Sequence, residues 1–157
     1  NRVVLDLLKR ALDSRYMISI REEKGGTYGV RVSGGTNKYP VEQYVITIKF
    51  DTNEQLADEL VEICDKEIKR IAEEGPLVED IAKSKEFLQK NYNNILESNS
   101  GWLSTIYNWY EEGYNYKDEY LDILASITED DIKALAQKIL DDGNRTLVVM
   151  RPKTVTE

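Results

Sequence analysis

Leu5, Leu8, Leu12, Tyr16 and Ile20 recur at three- and four-residue spacing. This predicts an amphipathic helix of about five turns with a single apolar stripe. Arg21 follows one position after the stripe ends, in the last helical turn. The pattern then changes period. From Thr27 to Val32 the chain alternates, with Tyr28, Val30 and Val32 on one face and Thr27, Gly29 and Arg31 on the other, as in a strand. Ser33-Gly34-Gly35-Thr36-Asn37 reads as a hairpin turn or a bulged, mobile stretch. Val41 to Asp51 is the clearest strand, with Tyr44, Ile46, Ile48 and Phe50 on one face and Gln43, Val45, Thr47 and Lys49 on the other. Two strands so close in sequence are most simply an antiparallel pair.

Helical spacing returns after Thr52 or Asn53, either of which can cap a helix running to Glu74 and stopping at Gly75-Pro76. Its stripe is Leu56, Leu60, Ile63, Glu67 and Ile71, with Val61 and Ile68 alongside. A third helix is predicted over Val78 to Leu96. Asn99 or Ser100 caps a fourth, marked by Trp102, Ile106, Trp109 and Tyr110 and ended by Gly113. Aromatic residues at this spacing are expected to belong to the core rather than to a ligand-stacking surface. Tyr114, Tyr116 and Tyr120 extend the stripe into a loop and a short helix through Leu124. Thr128-Glu129-Asp130-Asp131 forms a near capping box with Asp in place of Glu, and it opens a last helix, Ile132 to Leu140. Thr146 to Met150 is apolar and is predicted as a short closing strand, buried on both faces in the same sheet as the hairpin and stopped by Pro152. The order of strands and helices predicts an α+β fold: a small, mainly antiparallel sheet with helices packed on one face.

At 157 residues the chain is the size of one domain, 1–157, with enough length to bury a core. Its 29 acidic and 21 basic residues give a formal charge of −8, which argues against nucleic acid and anionic membranes as partners. No apolar run approaches the roughly 18 residues of a membrane span, and no leader peptide is visible at Asn1, where helical periodicity is already running. The single Cys64 allows no internal disulfide and lies near an apolar face, where a buried small residue is the expected role. The chain contains no histidine. With one cysteine besides, it has no zinc-ligand spacing, so the chain by itself is expected to bind no metal.

The stretch that carries candidate chemistry is Arg21-Glu22-Glu23-Lys24-Gly25-Gly26-Thr27-Tyr28. The two glycines allow a sharp reversal between the helix end and the strand start. A guanidinium and a phenol brought to one edge of a domain are hydrogen-bond donors without a base, nucleophile or metal. They can grip a carbonyl or carboxylate and cannot by themselves cleave a bond. The competing structural reading is that Arg21 caps the helix and Tyr28 packs in the sheet.

An arginine, six residues and a tyrosine, across a glycine-containing turn between helix and strand, resembles the pitrilysin/insulinase family of zinc metallopeptidases. The matching residues are Arg21, Glu22, Glu23, Gly25, Gly26, Tyr28 and Val30. The second strand to Phe50, the helix series and the closing segment Thr146 to Arg151 follow in the same order, so the resemblance covers most of the chain. It implies a last domain that lacks the inverted His-x-x-Glu-His motif, and a native strand preceding Asn1. It further implies a parent zinc metalloendopeptidase folded as two halves around a chamber. The metal would lie on an N-terminal half, in cis or as a separate subunit, and the substrate would be a peptide or unfolded polypeptide. Carried over, Arg21 binds a substrate carbonyl or carboxylate, and Tyr28 both binds substrate and donates to the developing oxyanion. The resemblance leans towards bacterial, exported members, which places periplasm ahead of cytoplasm. It equally covers non-catalytic structural or partner subunits of the same fold. Without the resemblance, the chain reads as an acidic α+β interaction module.

Overall fold

The computed structural model describes residues 2–22, 27 and 29–151, with the backbone alone for Arg21, Glu22 and Glu112. Helix α1 spans Arg2–Tyr16 and runs directly into a π-helical segment, Met17–Glu22. Strands β1 (Val30–Asn37) and β2 (Gln43–Phe50) follow. Then come α2 (Ala57–Glu74), α3 (Val78–Leu96), α4 (Asn99–Glu112), α5 (Tyr116–Ser126) and α6 (Glu129–Asp142). Helices account for more than half of the chain, and the fold is α+β as its patterning predicts.

Helix α1 is the hub, because it touches β1, α2, α3 and α6. Leu5, Leu8, Leu12, Tyr16 and Ile20 are all fully buried, joined by Leu7 and Ala11. Each such leucine withdrawn from water contributes about 1.5–3 kcal/mol. The Tyr16 hydroxyl, carried into this core, donates to the carbonyl of Cys64 at 3.1 Å. In the turn before its partner helix α2, Asn53 Oδ1 accepts from the Leu56 N–H at 2.9 Å; Leu56, which opens the helix, makes no side-chain cap bond, and α2 ends at Gly75 with φ 83°, a left-handed value that favours glycine. Ile71 and Ala72 close α2 onto α1, and Ile132 and Ala136 bring α6 against both. At the start of α6 the Thr128 N–H donates to Asp131 Oδ2 at 2.8 Å, and the Asp131 N–H donates to Thr128 Oγ1 at 3.4 Å. The capping box therefore forms with the shorter acid.

β1 and β2 pair antiparallel in unbroken register from Val30 opposite Phe50 to Asn37 opposite Gln43. Val30, Val32, Ile46, Ile48 and Phe50 turn towards the core, and the alternate residues face outwards. The hairpin reverses later than its sequence suggests. Ser33 to Asn37 is strand, and the turn lies over Lys38 to Glu42, where Pro40 cannot donate to a ladder. Gly34 belongs inside the strand for a steric reason: a Cβ there would sit 2.1 Å from the carbonyl oxygen of Val45. The Gly34 carbonyl in turn accepts from Lys9 Nζ at 3.1 Å, which ties the hairpin to α1.

Two further expectations are corrected. The segment Thr146 to Met150 is not a strand, and Val148 and Met150 are 78% and 92% exposed. Among the described residues no strand edge meets it. The residues flanking it form ion pairs with α2: Arg145 with Asp65 in a bidentate pair at 2.8 and 3.1 Å, and Arg151 with Asp58 at 2.7 Å. The aromatic stripe of α4 is not core either. Trp102, Ile106, Trp109 and Tyr110 all lie on the surface. Periodicity shows that these residues share a face and leaves open which way the face points.

Candidate functional site

The approach to Arg21 departs from regular α-helix geometry. Ile20 is fully buried and anchors the π-helical segment, while Met17 and Ile18 are exposed on its outer side. The Ser19 hydroxyl donates to the Arg15 carbonyl at 2.9 Å, one turn back, the kind of side-chain bond that bends a helix. Widened turns of this type are uncommon and concentrate at functional sites. The backbone of Arg21 is the fifth residue of this segment. Tyr28, the side chain of Arg21, and Glu23 to Gly26 lie outside the described residues. Next to them, the Gly29 N–H donates to Thr27 Oγ1 at 3.2 Å, and that hydroxyl donates to the Gly29 carbonyl at 3.1 Å. This local turn precedes Val30, where the paired strand begins.

The π-helical segment rests on α1, α2 and β1. On α2, one turn beyond Cys64, the Glu67 carboxylate interrupts the apolar stripe. Its Oε2 is buried and, among the described residues, has no hydrogen-bond partner; the same is true of Arg15 Nε. Charges on Glu67 and Asp65 act, together with burial as the main cause, to push the Tyr16 phenol above its ordinary value near 10. Burial, and then the Asp65 carboxylate, push the Cys64 thiol up to about 12. A thiol held neutral in this way packs as a small apolar residue and is neither nucleophile nor metal ligand. Glu67 was legible only as an acid at a stripe position; that anomaly was the available signal.

Among the described residues no three His, Cys, Asp or Glu side chains converge as a metal would require. With no histidine in the chain and its one cysteine held as a neutral thiol, these residues do not fit a zinc site. A shallow groove of about 280 Å³ between α3 and α5, lined by Lys85, Gln89, Leu121, Leu124 and Ala125, offers no reactive group. The Lys85 ammonium is already engaged by the carbonyls of Ala125 at 3.1 Å and Ile127 at 2.5 Å. No helix among the described residues is long and apolar enough to cross a membrane.

Comparison with known proteins bears on this stretch. The family described as "Peptidase M16 inactive domain" matches residues 1–88, a span that contains Arg21 and Tyr28. A protein from Arabidopsis thaliana described as "Zinc protease PQQL-like" is 28% identical over 112 residues, covering 68% of this chain and 12% of its own length. Among solved structures, the periplasmic protease PqqL from Escherichia coli superposes with a TM-score of 0.72 at 15% identity, over 87% of this chain and 15% of PqqL. The peptidase M16 inactive domain from Pseudomonas fluorescens superposes with a TM-score of 0.68 at 19% identity, over 87% of this chain and 33% of that one. The chain therefore spans a small fraction of the length of these proteins.

Proposed function

From the premise that this chain belongs to the peptidase M16 family, as its inactive domain, we propose that it is the metal-free domain of a longer zinc metalloendopeptidase. In this reading Arg21 and Tyr28 serve as peptide-binding donors facing a zinc site carried by another part of the molecule. The observation that carries the reading is the family match over residues 1–88, a span that contains both residues. The zinc, supplied by the N-terminal half or by a separate subunit, would activate water for hydrolysis. The work of this chain is binding and charge stabilisation. The Arg21 guanidinium holds a carbonyl or carboxylate of a peptide or unfolded polypeptide. The Tyr28 hydroxyl donates to the carbonyl oxygen as negative charge grows there, a contact worth on the order of 3 kcal/mol in the transition state. The likeness to PqqL, a periplasmic protease, favours a periplasmic setting.

The test is steady-state kinetics of the longer polypeptide with a fluorogenic peptide. Tyr28→Phe removes one donor and almost no volume. kcat is expected to fall roughly a hundredfold with KM little changed, the mark of an interaction made only in the transition state. Wild-type turnover in Tyr28→Phe would sink the catalytic reading. It would favour the alternative, a non-catalytic structural or partner subunit of the same fold.

A further inference from the structure

Helix α4 is built inside out. Its inner face carries Gly101, Thr105 and Asn108, with Thr105 buried. Gly101 lets α4 lie directly on the end of α3, since a Cβ there would stand 2.0 Å from the Ile95 carbonyl oxygen. The outer face carries Trp102, Leu103, Ile106, Trp109 and Tyr110, from 38% to 87% exposed. At 100° per residue these five positions sweep a continuous arc of roughly 120°. An isolated exposed leucine means nothing, but a contiguous face of this kind marks a contact surface. Tyrosine and tryptophan are also the residues that dominate such contacts.

We infer that the aromatic face of α4 is the seat of a neighbouring domain of the same polypeptide, packed in cis. This rests on the reading above that the chain is one part of a longer protein. Three observations select that occupant. First, the chain spans 12% and 15% of the zinc protease-like protein and of PqqL, so most of a protein of that size lies outside it. Second, the exposed parts of these five side chains amount to on the order of 600 Å². Matched by an equal area on its partner this makes about 1,200 Å² in total, at the lower edge of free-standing complexes. It suits a contact between linked domains, where about 600–1,500 Å² in total suffices because the linker supplies a high effective concentration. Third, a second copy is disfavoured by charge. The chain carries −8, and the only charged residues of α4 are Glu111 and Glu112, at one end. The covering surface is therefore apolar at its centre and basic where it meets Glu111.

Hydroxyl-radical footprinting of the longer polypeptide, read residue by residue, tests this. Trp109 and Tyr110 are expected to oxidise about tenfold more slowly than their exposure on this domain dictates, equally at low and high protein concentration. The double variant Leu103→Glu/Tyr110→Glu, both surface positions, is expected to raise Trp109 oxidation severalfold while the buried Tyr16 stays protected. Rapid oxidation of both Trp109 and Tyr110 in the wild-type protein overturns the inference, whatever the variant does. So does protection that appears only at high concentration, which would mean a second copy. Protection that appears only when carboxymethylated casein is added would mean a substrate surface, and overturns it too. The footprint is independent of turnover: a fully active Tyr28→Phe enzyme would remove the catalytic role of Tyr28 and leave this result standing.

Discussion

Arg21 and Tyr28 differ in when they are expected to act. A substrate carbonyl or carboxylate exists before any bond breaks, so Arg21→Ala in the longer polypeptide should raise KM as well as lower kcat. Arg21→Lys should recover only part of the loss, because an ammonium cannot reproduce the planar fork of a guanidinium. Both follow from the proposed roles and are read from the same kinetics. Thermal melting run in parallel separates them from a folding defect: inactivity explained wholly by a collapsed Tm would return both residues to structural duty. Tyr16 makes the contrasting case of a tyrosine whose hydroxyl serves the fold. It is fully buried and donates to the Cys64 carbonyl. Tyr16→Phe should cost about 1 kcal/mol in denaturant unfolding and leave kcat unchanged.

Each element is decided by one or two positions where backbone meets backbone. α4 can lie on α3 only because residue 101 has no side chain. Gly101→Ala must push the helices apart or strain them, and a loss of about 1–3 kcal/mol is expected on denaturant titration. The same substitution should tilt the aromatic face, so Trp109 fluorescence should shift even where the domain stays folded. α6 depends on its cap instead. Hydrogen bonds from Thr128 hold the Asp131 carboxyl below its usual range. A carboxylate with a depressed folded pKa contributes stability that is present above its unfolded value, near 3.9, and lost as pH falls through the folded value. Thr128→Ala should therefore destabilise the domain at neutral pH, with the gap from wild type narrowing in acid.

For the molecule as a whole, the buried tyrosines are expected to set the alkaline limit. Tyr92 stacks on Tyr120 at 5.2 Å, Tyr116 lies 4.5 Å from Tyr120, and Tyr114 meets Tyr116 edge-on at 6.1 Å. Burial raises all four phenols, Tyr114 to about 12, as it raises Tyr16. Because the folded values stand above the unfolded value near 10, this stability is complete below pH 10 and lost as pH rises beyond it. Ultraviolet titration of the phenolates should show a late group that ionises together with loss of helical circular dichroism. Smooth titration of every tyrosine near pH 10 with the fold intact would contradict the cluster. The 157-residue chain alone is also expected to retain no stoichiometric zinc after dialysis and to cleave no peptide, measured by metal analysis and fluorogenic assay.

Residue order alone determined the features that depend on local periodicity and local chemistry. The α1 stripe from Leu5 to Ile20 is buried at every position, as its three- and four-residue spacing predicts. The inward set Ile46, Ile48 and Phe50 follows from the two-residue repeat of a strand. The Thr128–Asp131 box forms because both partners sit within one turn. The Arg21-to-Tyr28 stretch carried the family, which the match over residues 1–88 shows. The tertiary structure decided what depends on distant backbone. Gly34 and Gly35 look like a turn and are strand, paired with Ile46 and Val45 of β2, and the facing Val45 carbonyl leaves no room for a Cβ at Gly34. Thr146 to Met150 has the composition of a strand, yet no strand edge among the described residues receives it, and it is its flanking residues, Arg145 and Arg151, that pair with α2. Trp102, Ile106, Trp109 and Tyr110 have the spacing of a core face and point outwards. The face of a helix that goes inside is chosen by what can approach it, and on α4 the close approach is made at Gly101.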